Sequence, residues 1–135
     1  MALVSKNSNV IRVPALVGVD FFYKWLWFLT PLHRLTNMER QVLAIVLNKR
    51  HELSEIVNDD TTLDELVLST KCRREIKDEM NATAGQINII FTKLRRCNVF
   101  VDGRINKRFI PNIEKGSKEY RLMLIFDVNE KPIPE

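Results

Sequence analysis

The side chains in this chain best suited to chemistry are the amides, hydroxyls and cations of Thr83–Cys97, TAGQINIIFTKLRRC. Their chemistry is recognition. Gln86 and Asn88 carry amides that can pair bidentately with an adenine edge, Thr92 offers a hydroxyl, and Lys93 and Arg96 suit phosphate oxygens. No carboxylate interrupts the run, although a solvated basic face would contain the same residue types. The surrounding elements therefore have to decide between the two.

Catalytic chemistry finds little support. His33 and His51 fall on separate elements, and neither has a ligand-type residue three or four positions away. With Cys72 and Cys97 they match no zinc spacing. The acidic pairs Asp59-Asp60 and Asp64-Glu65 read as capping and loop solvation. Gly18, Gly85, Gly103 and Gly116 make no phosphate-cradling loop. The expectation is a binding protein, not an enzyme, with no metal and no cofactor.

The basic stretch reads as one amphipathic helix. Thr83 as N-cap with Gln86 three residues on makes a capping box. Ile87, Ile90, Phe91 and Leu94 recur at helical period and form an inward stripe. That turns Gly85, Gln86, Asn88, Ile89, Thr92, Lys93 and Arg96 outward. Upstream, Cys72, Ile76 and Met80 lie four apart over the helical stretch Arg73–Met80, and Asn81-Ala82 is a short connector. Downstream, Asn98 suits the left-handed position that ends a helix. Val99-Phe100-Val101, Asp102-Gly103 and Arg104-Ile105 then read as strand, tight turn and strand.

REIKDEM, NATAGQINIIFTKLRRCNVF and a basic hairpin, in that order, resemble the winged helix-turn-helix family of DNA-binding domains, over roughly residues 35–128. The resemblance implies an α+β fold with a three-helix core and a C-terminal β-hairpin wing, here with an N-terminal aromatic-rich helical extension. It implies that Thr83 caps the recognition helix, that Ile87, Ile90 and Leu94 seat it, and that Val99 and Phe100 begin the wing. Duplex DNA is then the expected partner, with Gln86, Asn88, Thr92, Lys93 and Arg96 in the major groove. Arg104, Lys107 and Arg108, with Lys115 or Lys118, are expected on phosphates. Small winged-helix proteins of this kind look similar to plasmid- and phage-type replication initiators and to compact transcription regulators. Two departures stand out: Asn98 where many members carry Gly, and Ile89 at the centre of the outward face. Ile89 suits either a thymine methyl or another protein.

Charge distribution agrees with a polyanion-binding face. Residues 83–118 hold eight Lys/Arg and two Asp/Glu, a local +6 against +4 for all 135 residues. Residues 36–62, 63–82 and 119–135 are each net negative.

The remaining chain divides into an arm and aromatic helix (1–34), a domain (35–128) and an irregular tail (129–135). The arm runs from polar Ser5–Asn9 to an extended Val10–Pro14. Asp20–Leu29, DFFYKWLWFL, holds six of the eleven aromatics and is apolar nearly all round. Such a helix either crosses the domain's own core or presents a docking or homo-oligomerisation surface, with Phe21, Phe22, Trp25 and Trp27 as anchors and Ile89 as a second contact. Thr36 with Glu39 and Thr62 with Glu65 form two further capping boxes. The first opens a helix to about Arg50; the second opens a brief helix or strand through Leu68. A strand is expected over 104–113, bulged or ended at Pro111, and another over Tyr120–Val128, where apolar residues alternate. No uncharged run of 18 residues exists, and Asp20 and Lys24 interrupt any signal-peptide layout. The expectations are no membrane span, reduced cysteines and a cytoplasmic protein. The rival reading is a winged-helix scaffold used as an adaptor in a larger assembly such as a viral particle, binding protein in place of DNA.

Overall fold

The computed structural model describes residues 3–4 and 10–132. The polar stretch of the expected arm, residues 5–9, and the end of the tail, 133–135, lie outside the described residues. The fold is α+β and mostly helical. A two-residue pair, β1 (Leu3–Val4) and β2 (Ile11–Arg12), precedes six α-helices. These are α1 (Val19–Phe28), α2 (Thr30–His33), α3 (Asn37–Leu53), α4 (Asp60–Val67), α5 (Thr70–Met80) and α6 (Ala84–Arg96). An antiparallel ribbon follows, β3 (Phe100–Val101) with β4 (Arg104–Ile105), then a 3₁₀ turn at Lys107–Phe109. No described helix is long and apolar enough to cross a membrane.

Helix boundaries follow local capping chemistry. At Thr36 and Thr83 both halves of the capping box form, the hydroxyl accepting from the backbone N–H three residues on and the Glu39 or Gln86 side chain accepting in return. The third start differs from the expectation. Asp59, not Thr62, caps α4, its carboxylate accepting from both the N–H and the hydroxyl of Thr62. A carboxylate one turn earlier is the stronger acceptor, so the helix begins there. Ser69 likewise caps α5, which begins at Thr70, three residues ahead of the expected Arg73. Asn81 and Asn98 sit at φ 51° and 60°. The following N–H groups of Ala82 and Val99 reach back five residues to Lys77 and Leu94 at 3.0 Å, the Schellman arrangement that closes a helix.

One core unites the helices and the ribbon. α3 runs through it, with Val42 to Leu47 all buried, flanked by Ile76 of α5, by Ile87, Ile90, Phe91 and Leu94 of α6, and by Val99, Phe100 and Ile105 of the ribbon. The aromatic helix belongs to the same core. Phe22 and Leu26 of α1, with Leu29 just beyond it, are buried against α3. Phe22 is therefore a core residue and not the docking anchor that its all-round apolar surroundings suggested. Trp25 is tied down as well, its indole N–H donating to the Phe109 carbonyl at 3.0 Å.

The expected strand 104–113 forms only at its start, as β4, and the strand expected over Tyr120–Val128 does not form. After β4 the chain turns through Lys107–Phe109, because Phe109 drops into the core beside His33 while Pro111 offers no donor to a ladder. Tyr120–Val128 has the alternation of a strand but pairs with no other described strand.

Two buried polar groups hold the layers in register. Asp64, 1% exposed, accepts from Arg50 Nε of α3 at 2.7 Å, Arg104 Nε of β4 at 2.9 Å and the Ile105 N–H at 3.2 Å. Buried His33 ties α1 to the connector that leads into α3, one ring nitrogen against the Leu26 carbonyl at 2.7 Å and Nδ1 accepting from the Leu35 N–H at 2.9 Å. That geometry requires the neutral ring protonated on Nε2.

Removing the Asp64 carboxylate leaves two guanidinium groups and a backbone N–H without their acceptor. Asp64→Ala is expected to cost about 3–5 kcal/mol, toward the lower figure because Arg104 is partly exposed. Urea unfolding checks this, and a loss below about 1 kcal/mol contradicts the clamp. His33 generates a pH signature. Burial, with the nearby Arg40 charge, lowers its pKa from 6.5 despite the Leu26 carbonyl. The unfolded chain then binds a proton that the folded chain refuses, so stability falls as pH drops through 6.5 toward the lower folded value. The acid slope of stability below pH 6.5 is expected to flatten in His33→Phe. An unchanged slope contradicts the neutral bridge.

Candidate nucleic-acid interface

The outward face of α6 owes its shape to the connector before it and the cap after it. Three residues, Asn81–Thr83, join α5 to α6, and the capping box fixes the axis at which α6 leaves the turn. With Ile87, Ile90, Phe91 and Leu94 buried, Gln86, Asn88, Ile89, Arg95 and Arg96 are exposed and Thr92 and Lys93 are partly so. No acidic residue lies on α6.

Each expected contact residue has a definite situation. Gln86 uses its carbonyl on the Thr83 N–H at 2.9 Å and keeps its amide N–H₂ for a partner. Asn88 is exposed, and among the described residues its side chain makes no hydrogen bond. Thr92 donates to the Asn88 carbonyl at 2.9 Å and accepts from Arg95 at 3.1 Å, so its hydroxyl is taken. Lys93 reaches sideways to both carboxylate oxygens of Glu39 at 3.4 Å. Burial opposes the charge on Glu39, but the Thr36 N–H and the Lys93 ammonium outweigh it and hold this carboxyl below its ordinary range. Lys93 thus pins α6 to α3 and is a poor phosphate ligand. Arg96 is exposed, and Ile89 stands out at 71% exposure.

The ribbon cations are only partly where the sequence suggested. Arg104 is committed to Asp64, whose carboxylate raises the arginine pKa further. Its expected role on a phosphate is corrected to a structural one, because a buried carboxylate must be neutralised before any external anion competes. Lys107 and Arg108 are exposed on the 3₁₀ turn. Lys107 lines a groove of about 460 Å³ with Arg50, His51, Asp60, Asp64 and Arg104. The opposite groove, about 440 Å³, is lined by Arg73, Phe91, Arg95, Phe100, Asp102 and Gly103. Of the cations in residues 83–118, Arg104 and Lys107 line the first groove and Arg95 the second, so the positive charge is not gathered on one surface.

Arg95 is the residue that sequence reasoning passed over. It lies seven positions after Asn88, two helical turns on, and so shares that residue's flank. It adjoins the ribbon tip and Arg73, whose guanidinium sits 5.6 Å from the Phe91 ring centre. The tip itself is a primed turn, with Asp102 at φ 54° and Gly103 at φ 72°, the twist a two-residue hairpin requires.

The proposed docking anchors are mostly occupied within the chain. Phe21 and Trp25 meet the Tyr120 ring edge-on at 5.8 and 5.4 Å. Trp27 alone of the four is well exposed, at 53%. Among the described residues no three His, Cys, Asp or Glu side chains are grouped to hold a metal ion. Cys72 and Cys97 are both free thiols. Comparison with family models, with curated proteins and with solved structures found no match.

The Thr83 cap sets how α6 is presented. Thr83→Ala is expected to lower stability by about 1 kcal/mol, and Gln86→Ala by less, since the backbone N–H it satisfies is exposed. Thermal denaturation checks the order; a larger loss for Gln86 reverses the assignment.

Proposed function

We propose that this chain is a winged-helix-like module that binds duplex DNA without catalysis, with α6 as the element entering the major groove. The observation that carries the reading is the exposed face of α6. It offers Gln86, Asn88, Arg95 and Arg96 with no carboxylate of its own; Glu39 beside it is paired with Lys93, and Asp102 of the ribbon tip lines the Arg95 groove. The element order supports it too: α5, a three-residue turn, α6 and a short ribbon whose tip lies beside Arg95. Arg73, Arg95 and Arg96 replace Lys93 and Arg104 as the phosphate-binding set. Lys107 and Arg108 stand apart from that groove and are secondary.

Binding to a random duplex, read by fluorescence anisotropy, is expected to weaken steeply with salt. Arg95→Glu with Arg96→Glu is expected to abolish it while leaving the circular dichroism spectrum unchanged. The single Arg95→Ala and Arg96→Ala variants should each reduce the log-log salt slope by about 0.9. A folded double variant with undiminished affinity removes the proposal. Ile89 gives the second reading its own observation, since an aliphatic side chain 71% exposed at the centre of this face suits an apolar partner surface. If the wild-type chain ignores duplex DNA at low salt, α6 is a protein-binding helix and the chain an adaptor.

A further inference from the structure

The segment Arg121–Val128, RLMLIFDV, has the composition of a central strand yet lies exposed. Leu122, Met123, Leu124, Ile125, Phe126 and Val128 are between 50% and 93% exposed, on both alternating faces. Among the described residues no backbone-to-backbone hydrogen bond involves residues 118–132, and only the Asp127 carbonyl is engaged, by the Asn129 side chain at 3.0 Å. A run of β-branched, aromatic and long aliphatic residues with free N–H and C=O groups is a template for strand pairing. Its start is held in place. Tyr120 packs edge-on against Phe21 and Trp25, and Glu119 is bridged by Arg12 at 3.6 Å and Arg121 at 2.8 Å.

The order of residues within the segment indicates what pairs with it. Set antiparallel to a second copy with Leu124 on the two-fold axis, Leu122 falls opposite Phe126, Met123 opposite Ile125, and Arg121 opposite Asp127. One step further out Tyr120 meets Val128, then Glu119 meets Asn129 and Lys118 meets Glu130. Apolar residues thus meet apolar residues and each cation meets an acid, at cross-strand positions where such pairs attract. A shift of one residue breaks the match, setting Arg121 against Phe126 or Val128. Asp127 makes no salt bridge among the described residues, so the partner's arginine has an unused acceptor.

We infer that the chain forms a two-fold dimer in which Arg121–Asp127 pairs antiparallel with the same segment of a second copy. The oligomer contact is then this strand and not the aromatic helix, whose Phe21 and Trp25 are covered by Tyr120 of the same chain. The isologous register makes it closed, which also shields an edge that would otherwise invite open-ended association. The inference stands whether or not α6 binds DNA.

Sedimentation velocity of the full chain over a concentration series tests it. The wild type is expected to be a dimer. Arg121→Glu and Asp127→Arg are each expected to shift it toward monomer, by placing like charges opposite one another. Combining the two in one chain restores both cross-strand pairs and with them the dimer. In a Cys97→Ala background, Leu124→Cys is expected to oxidise to a covalent dimer more readily than Met123→Cys, whose partner copy lies diagonally. Because the segment contributes nothing to the core, the variants should keep the wild-type circular dichroism spectrum, with the unfolding temperature lowered by no more than loss of the dimer accounts for. A wild type monomeric throughout overturns the inference and leaves intramolecular pairing, for instance with the β1–β2 hairpin. Open-ended oligomers, a dimer indifferent to the single reversals, or a double variant that stays monomeric also overturn it.

Discussion

The Asp64 carboxylate is the constraint on which the arrangement of layers depends. A charged oxygen pair at 1% exposure is sustainable only with compensating donors, and here three come from two elements: Arg50 of α3, and the Arg104 side chain and Ile105 backbone N–H of β4. Each donor belongs to a different part of the fold from α4, which carries the acid. Satisfying it fixes α4 on α3 and fixes the ribbon against both. Hydrophobic burial would tolerate several rotations of the ribbon about Phe100 and Ile105; a carboxylate with directional bonds tolerates far fewer.

That clamp also governs the distribution of positive charge. Arg104 turns toward Asp64, so the ribbon sends one cation inward and leaves Lys107 on the side of α3 and α4. Lys93 is drawn the same way by Glu39. What stays available on the other flank of α6 is Arg95, with Arg73 across the groove and Arg96 on the open face. The basic surface that remains is smaller than the local +6 charge implies, and it is centred on the C-terminal half of α6. Cations there also complement the helix dipole, so their positions serve stability as well as any anion.

The aromatic helix illustrates a different kind of competition. Leu26 and Phe22 turn toward α3, Trp25 donates to Phe109 and Tyr120 covers Phe21, so most of the expected sticky surface is consumed internally. Only Trp27 and Phe28 at its end face outward. His33 completes the joint between α1 and α3 by using both ring nitrogens, which a short chain between the two helices makes geometrically available.

Sequence alone determined the features that depend on neighbours within about one helical turn. The Thr36 and Thr83 capping boxes, the inward stripe of α6, the left-handed Asn98, the Asp102-Gly103 turn and the exposure of Ile89 are local, and each was legible from residue type and spacing. Tertiary structure decided what those periods leave undefined. Whether Phe22 docks or packs and whether Arg104 meets a phosphate or Asp64 depend on residues 29 and 40 positions away, and Tyr120 is held by Phe21 and Trp25 more than 90 positions before it. Side-chain pattern states which face of an element is apolar or charged, but not which distant group competes for it. Asp64 is the clearest case, because a carboxylate read as a helix-start residue and one that anchors three layers look the same until the arginines are placed in space.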